Sequence, residues 1–255
     1  MKVRGTLTLA VVAVGLILSD LVQRTFISVS VKLLPRHRHR ILAAWQQLMA
    51  RFVIGSVRRL GGAHINDVPQ IPGGPGVLVL MNHQSLMDIP LVVRAIRPGY
   101  PRIVTRERYA NGKPLISHMI RLYQYPTVNP RATVRSGLEA LSEAARESPV
   151  PLVIYPEGTR TKDGEIGTFR RSGLRAILTA RPWEIWMVTA DGYWECAKLK
   201  DFRAKVSSIQ GRIRMEGPIP GPASDSTPEE IDAFIDRMRD RMRASLAELR
   251  GAPPA

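Results

Sequence analysis

Residues 76–96, GVLVLMNHQSLMDIPLVVRAI, decide how this chain is read. Val77 to Met81 form a short unbroken apolar run led in by Pro75 and Gly76, which predicts a buried strand. Ser85 or Asp88 can cap the helix that follows, in which Ile89, Val92, Val93 and Ile96 recur at helical spacing. His83 therefore stands where strand gives way to helix, the usual place of chemistry in open α/β sheets. Two residues five apart within one helix lie roughly 140° apart around the axis and cannot meet. A loop between them lets Asp88 fold back onto the His83 ring. A carboxylate on one imidazole nitrogen fixes the tautomer and stabilises the imidazolium, leaving the other nitrogen to take a proton from a hydroxyl. With no nucleophile beside the pair, the substrate is expected to bring the hydroxyl. The alternative is that Asn82 and Ser85 are turn residues, His83 a satisfied histidine and Asp88 a helix cap.

A second stretch, PLVIYPEGTRTKDG at 151–164, has the same construction. An apolar strand from Leu152 to Tyr155 runs into Pro156, Glu157, Gly158, Thr159 and Arg160. Gly158 permits a close turn, exposed amides and the Thr159 hydroxyl can bind an anion, and Arg160 offers a planar fork suited to phosphate. Alone it reads equally as a polar turn with a surface arginine.

NHQSLMD followed some seventy residues later by YPEGTR resembles the glycerolipid acyltransferase superfamily, specifically its lysophosphatidic acid acyltransferase branch, whose patterns are NHxSxxD and FPEGTR in that order. Tyr155 stands where the family usually has Phe. The resemblance implies that His83 is the general base, that Asp88 orients it, and that Glu157, Gly158 and Arg160 help to bind a phosphate-bearing acceptor, with Asn82, Ser85 and Thr159 also substrate-binding candidates. It further implies a glycerol-3-phosphate acyltransferase-like fold. The implied reaction is transfer of an acyl group from acyl-CoA or acyl carrier protein to the free hydroxyl of lysophosphatidic acid, giving phosphatidic acid with no cofactor or metal. The resemblance covers roughly Pro72 to Gly192. Within it Arg106 occupies the position of a family Lys, Pro114 that of a Pro, and Arg131 matches a final Arg; Arg106 and Arg131 join the acceptor-binding candidates. Gln124 falls where the family often carries Gly, FRRSG at 169–173 matches a later segment, and IWMVTADG at 185–192 lacks the family's Pro. These departures bear on the acceptor, and leave another lysolipid, such as lyso-ornithine lipid or a lysophospholipid, as the rival within the superfamily.

The 255 residues suffice for one α/β domain with an appendage, and 44% apolar content supplies a core. A net charge of +15 calls for a polyanionic partner. Met1 to Leu60 holds ten Lys or Arg against one acid, Asp20, and is also the most apolar part of the chain, which favours an anionic membrane surface over nucleic acid. Few aromatics (6%) and no recognisable motif argue in the same direction. Lys2 and Arg4 precede an apolar run, Leu7 to Leu18, with no small-x-small cleavage site after it. The run breaks at Ser19 and Asp20, short of the ~20 residues a spanning helix needs. A span that recruits Leu21 to Leu34 is open, with Gln23, Arg24 and Lys32 against it. In RHRHRILAAWQQLMARFVIGSVRRLGG the residues Ile41, Trp45, Leu48, Phe52, Val53, Val57 and Leu60 share a face, predicting an amphipathic helix in the headgroup layer or one packed on the protein's own core. Residues 1–62 are thus read as membrane-associating helices and 63–255 as the catalytic unit, located at the cytoplasmic face of the inner or plasma membrane.

His37 and His39 lie among arginines that oppose a metal ion, and His64 and His118 have no evident partner. Cys196 is a lone packing residue. Further strands are expected at 102–105, 150–155 and 185–190, edge strands within 204–215, and helices at 133–147 and 169–179. Together they make a mixed, largely parallel sheet flanked by helices. Thr227, Pro228 and Glu230 form a capping box for a terminal helix with a stripe from Ile231 to Leu249, stopped by Gly251. Two further readings stand beside acyl transfer: a hydrolase using Ser85, which lacks GxSxG, and a non-catalytic basic membrane-binding protein.

Overall fold

The computed structural model describes residues 2–129 and 134–251. Helices α1 (Lys2–Val22), α2 (Ser28–Leu33) and α3 (Arg38–Arg59) lead the chain. They are followed by β1 (His64–Ile65), β2 (Val77–Met81), α4 (Asp88–Ala95), β3 (Arg102–Ile103) and β4 (Thr105–Arg106). Next come α5 (Ile116–Leu122), β5 (Thr127–Val128), α6 (Val134–Arg146), β6 (Leu152–Ile154), α7 (Arg171–Leu178) and β7 (Glu184–Asp191). The chain closes with α8 (Leu199–Lys205), β8 (Gln210–Pro220) and α9 (Pro228–Gly251).

Six strands form one sheet in the order β1-β8-β7-β2-β6-β3, in which only the β7–β8 pairing is antiparallel. The expected mixed, largely parallel sheet is the observed one. Its centre is β2, bonded to β7 on one side and β6 on the other, and every residue of β2 is buried. Alternation divides the core. Val77, Val79 and Met81 face a layer containing Ala50, Ile54 and Val57 of α3 and Leu91 and Val92 of α4. Leu78 and Leu80 face Leu141 of α6, Leu174 and Ile177 of α7, and the α9 stripe Ile231, Phe234, Ile235, Met238, Met242 and Leu246. The α9 capping box forms as expected: the Thr227 amide donates to Glu230 Oε2 at 2.7 Å and the Glu230 amide to Thr227 Oγ1 at 3.3 Å.

Two expectations are corrected, and two readings left open by the sequence are narrowed. The strand expected at 102–105 ends at Ile103, and Thr105–Arg106 pairs instead with β5 in a separate two-stranded sheet. The expected edge strands of 204–215 resolve into α8 and the long β8, which lies inside the sheet between β1 and β7. The α3 stripe does not face outward. Of the stripe, Trp45 and Val57 are buried, Ile41, Phe52, Val53 and Leu60 are partly buried, and Leu48 is half exposed. Finally, the apolar run does not end at Ser19: α1, a π-helical turn at Gln23–Ile27 and α2 make one continuous helix, Lys2–Leu33, long and apolar enough to cross a membrane. The polar residues that argued against such a run are accommodated. Gln23 turns inward and is buried, and Arg24 pairs with Asp20 at 3.0 Å. The helix packs against α8 so closely at Gly5 that a Cβ there would lie 2.3 Å from the Arg203 carbonyl oxygen. Its other side leaves Val3, Leu7, Val14, Ile17, Leu18, Leu21, Phe26, Val29 and Leu33 exposed.

Candidate active site

Both motif loops leave the carboxyl ends of adjacent parallel strands, β2 and β6, and so meet. Between Met81 and α4 the chain turns through Asn82–Met87, and this turn brings Asp88 under the His83 ring. The His83 Nδ1 to Asp88 Oδ2 distance is 2.7 Å, with the Asp88 side chain fully buried and that of His83 17% exposed. The same oxygen accepts the main-chain N–H groups of Gln84 (2.7 Å) and Ser85 (2.8 Å). An oxygen that already takes two amide hydrogens acts as acceptor to the imidazole as well, so Nδ1 carries the proton and Nε2 presents its lone pair. Nε2 has no hydrogen-bond partner among the described residues.

Asp88 is the first residue of α4 rather than its cap; Met87 precedes it and no side chain caps the helix. The second loop fixes His83 from three more directions. The His83 amide donates to Glu157 Oε1 at 2.9 Å, its carbonyl accepts the Thr161 amide at 2.8 Å, and its ring stacks on Tyr155 with centroids 4.3 Å apart. The Tyr155 stack was not foreseen from the sequence, where Tyr155 read only as a replacement for Phe.

Three of the acceptor-binding candidates make hydrogen bonds to the main chain. Asn82 is buried, and its amide both donates to the Ala190 carbonyl and accepts the Ala190 amide, each at 2.8 Å. The Ser85 hydroxyl is buried and donates to the Cys196 carbonyl at 2.6 Å. Gln84 adds a third tie, accepting the Tyr193 amide at 3.1 Å. These three bind the first loop to the 190–196 segment. Glu157 likewise spends both carboxylate oxygens on amides, those of His83 and, at 2.9 Å, Gly167. Burial raises the Glu157 pKa above the ordinary carboxylate value, partly opposed by those two hydrogen bonds.

The remaining candidates converge. Gly158 has φ +67°, the left-handed region that favours glycine, and a Cβ there would sit 2.6 Å from Arg170 Nε. Arg106 Nη2 donates to the Gly158 carbonyl at 2.6 Å, so the short strand β4 brings its guanidinium to the second loop. Arg160 donates to the Ala197 carbonyl. Thr159 and Arg160 line a cavity of about 540 Å³ together with Lys162, Thr168 and Arg170, and with the acidic Asp163 and Glu165. Glu165 is paired with Arg250. His83 is not in that lining; Glu157, which is, links it to the cavity. Arg170, within FRRSG at 169–173, and Lys162, within TKDG at 161–164, join the lining without being among the candidates read from the sequence. Arg131 lies outside the described residues. The Gly-to-Gln departure has a conformational counterpart: Gln124 has φ +54°.

A family model described as Acyltransferase matches residues 63–190, half of the chain, and takes in both loops. A 1-acyl-sn-glycerol-3-phosphate acyltransferase from Cocos nucifera is 26% identical over 136 residues, 52% of this chain and 41% of that protein. The chain therefore spans well under half of that relative's length. 1-Acyl-sn-glycerol-3-phosphate acyltransferase alpha from Homo sapiens is 22% identical over 204 residues, 79% of this chain and 68% of that protein. The crystal structure of the 1-acyl-sn-glycerophosphate (LPA) acyltransferase PlsC from Thermotoga maritima superposes over the full length of both chains with a TM-score of 0.58 at 18% identity, a likeness of fold. By the extent of the family match, the chain belongs to the acyltransferase family.

Proposed function

We propose that the enzyme transfers an acyl group from an acyl thioester, carried by coenzyme A or acyl carrier protein, to the free hydroxyl of lysophosphatidic acid, yielding phosphatidic acid. One observation carries the chemistry: a histidine held by a fully buried carboxylate at 2.7 Å, with its second nitrogen open. In this reading His83 Nε2 takes the hydroxyl proton as the oxygen attacks the thioester carbonyl. Asp88 stabilises the imidazolium, the carbon–sulfur bond breaks, and the imidazolium returns the proton to the leaving thiolate. Direct transfer is supported by the Ser85 hydroxyl being engaged with the Cys196 carbonyl.

A phosphomonoester acceptor is supported by Arg106, Arg160 and Arg170 gathered around the second loop, and by the names of the relatives in Cocos nucifera and Homo sapiens. A bidentate guanidinium matches phosphate better than it does a zwitterionic head. Membrane association, at the cytoplasmic face, is part of the proposal and is supported by the exposed apolar side of the Lys2–Leu33 helix and the basic residues at 36–40.

The test is an acceptor panel. Protein in anionic-lipid vesicles receives one labelled acyl-CoA and, in parallel, lysophosphatidic acid, other lysophospholipids and lyso-ornithine lipid. Phosphatidic acid as the dominant product is expected. Dominance of another diacyl lipid would overturn the acceptor, and free fatty acid alone would point to hydrolysis.

A further inference from the structure

The Lys2–Leu33 helix, the first residue of α3 and α5 line a second basic cavity of about 370 Å³ that shares no lining residue with the candidate active site. Its polar lining is Arg24, Ser28, Lys32, Arg38, His118 and Arg121. The cavity is built around the π-helical turn at Gln23–Ile27, an insertion often found at functional sites. The turn aims Gln23 into the protein, where its side-chain oxygen accepts the Trp45 indole N–H at 2.9 Å. The indole only donates, so the amide orientation is fixed: Gln23 Nε2 must be the group that meets the Leu115 carbonyl (3.3 Å) and His118 Nδ1 (2.9 Å). His118 Nδ1 is then an acceptor and its proton sits on Nε2, 3.4 Å from the Ser28 hydroxyl, which itself donates to the Gln23 carbonyl. Arg38 and Arg121 are tethered to main-chain carbonyls, those of Leu122 and Ala110, which orients them without neutralising them. The lining holds no carboxylate; Asp20, paired with Arg24, is the nearest acid in sequence and the only one before Asp67.

We infer that this cavity binds the phosphate headgroup of an anionic bilayer phospholipid, separately from substrate. Four cations around one cavity suit a phosphate, and the setting points to its source. The helix that carries Arg24, Ser28 and Lys32 exposes Leu21, Val29 and Leu33 along one outer side, and Leu33 (74% exposed) directly follows Lys32. Free phosphate has no use for that apolar side, whereas acyl chains lie along it while the headgroup stays at the cations. The site then sets how deep and at what angle the amino-terminal helix sits in the bilayer.

The experiment measures binding of the full chain to phosphatidylcholine vesicles containing phosphatidylglycerol, and to pure phosphatidylcholine vesicles, over a salt series. Arg24→Gln/Lys32→Gln/Arg121→Gln is compared with a control that removes three exposed cations elsewhere, Lys200→Gln/Arg203→Gln/Arg237→Gln. In phosphatidylglycerol vesicles the cavity variant loses roughly tenfold more affinity than the control, and the two match in pure phosphatidylcholine. Lys32→Glu, at an exposed position, repeats the loss where folding is not at stake. Equal losses for cavity and control variants would reduce the effect to bulk surface charge and overturn the inference. So would a thermal stabilisation by millimolar inorganic phosphate that depends on the same three residues without any vesicle difference, since the cavity would then serve a free anion. Binding needs no turnover, and His83→Ala protein gives the same result, so failure here is separable from failure of the acyl-transfer reading.

Discussion

Replacing Asp88 by Asn isolates its charge from its shape. One Asp88 oxygen accepts from His83 Nδ1, the Gln84 amide and the Ser85 amide, while the other has no partner among the described residues. An asparagine can place its carbonyl oxygen on all three donors and its NH2 in the unpartnered position, so the His83 tautomer survives and the negative charge does not. With the imidazolium centre about 4 Å from the carboxylate, the lost attraction is about 4 kcal/mol at an effective dielectric of about 20. At about 1.4 kcal/mol per decade that is a roughly 10³-fold loss in kcat if the imidazolium is fully formed in the transition state. The stability cost is smaller, about 1–3 kcal/mol for the buried NH2. Asp88→Ala leaves two amides unpaired and costs about 2–6 kcal/mol, so its kcat must be read beside its melting temperature. Initial rates with a saturating acyl donor, alongside thermal unfolding of each variant, separate the two effects. An Asp88→Asn enzyme within threefold of wild type would refute the argument that this carboxylate stabilises a charged His83.

Three other outcomes follow from the same geometry. Glu157→Gln must set its NH2 against either the His83 or the Gly167 amide, so it loses about 1–3 kcal/mol of stability in chemical denaturation and lowers kcat by displacing His83, whereas a merely phosphate-binding Glu157 would raise KM alone. Gly158→Ala, in a left-handed position and against Arg170, costs about 1–2 kcal/mol from backbone strain and raises the acceptor KM, read by steady-state kinetics over an acceptor series. Asp232 is held down to about 2 by the Arg175 and Arg171 guanidiniums that join α7 to α9; because its folded pKa is depressed, its contribution is present above the ordinary aspartate value and is lost as pH falls toward about 2. Acid unfolding of Asp232→Asn therefore lacks that step.

What the sequence revealed was local. The β2 and β6 runs, the loops that leave them and the α9 capping box are each written in a few consecutive residues, and the meeting of His83 with Asp88 follows from their spacing and one turn. What it hid depends on partners far along the chain. Asn82 and Ser85 are committed to main chain 108 and 111 residues away, and no pattern within NHQS announces those bonds. The α3 stripe is equally compatible with lipid and with a core, and only the sheet and α4 packed against it decide the matter. Gln23 looked like a polar interruption of an apolar run because its partners, Trp45 and His118, lie on two other helices. Arg102–Thr105 reads as one strand because a two-residue strand and its neighbour in another sheet have no separate signature.

The most direct test of the account is the fate of the proton acceptor. His83→Ala protein, shown by circular dichroism and melting to be folded, is given labelled acyl-CoA and lysophosphatidic acid in vesicles beside wild type. The account predicts phosphatidic acid from wild type and a loss of about 10²–10⁴-fold in the variant, the range a general base supplies. A folded His83→Ala enzyme that still makes phosphatidic acid at a comparable rate would contradict it.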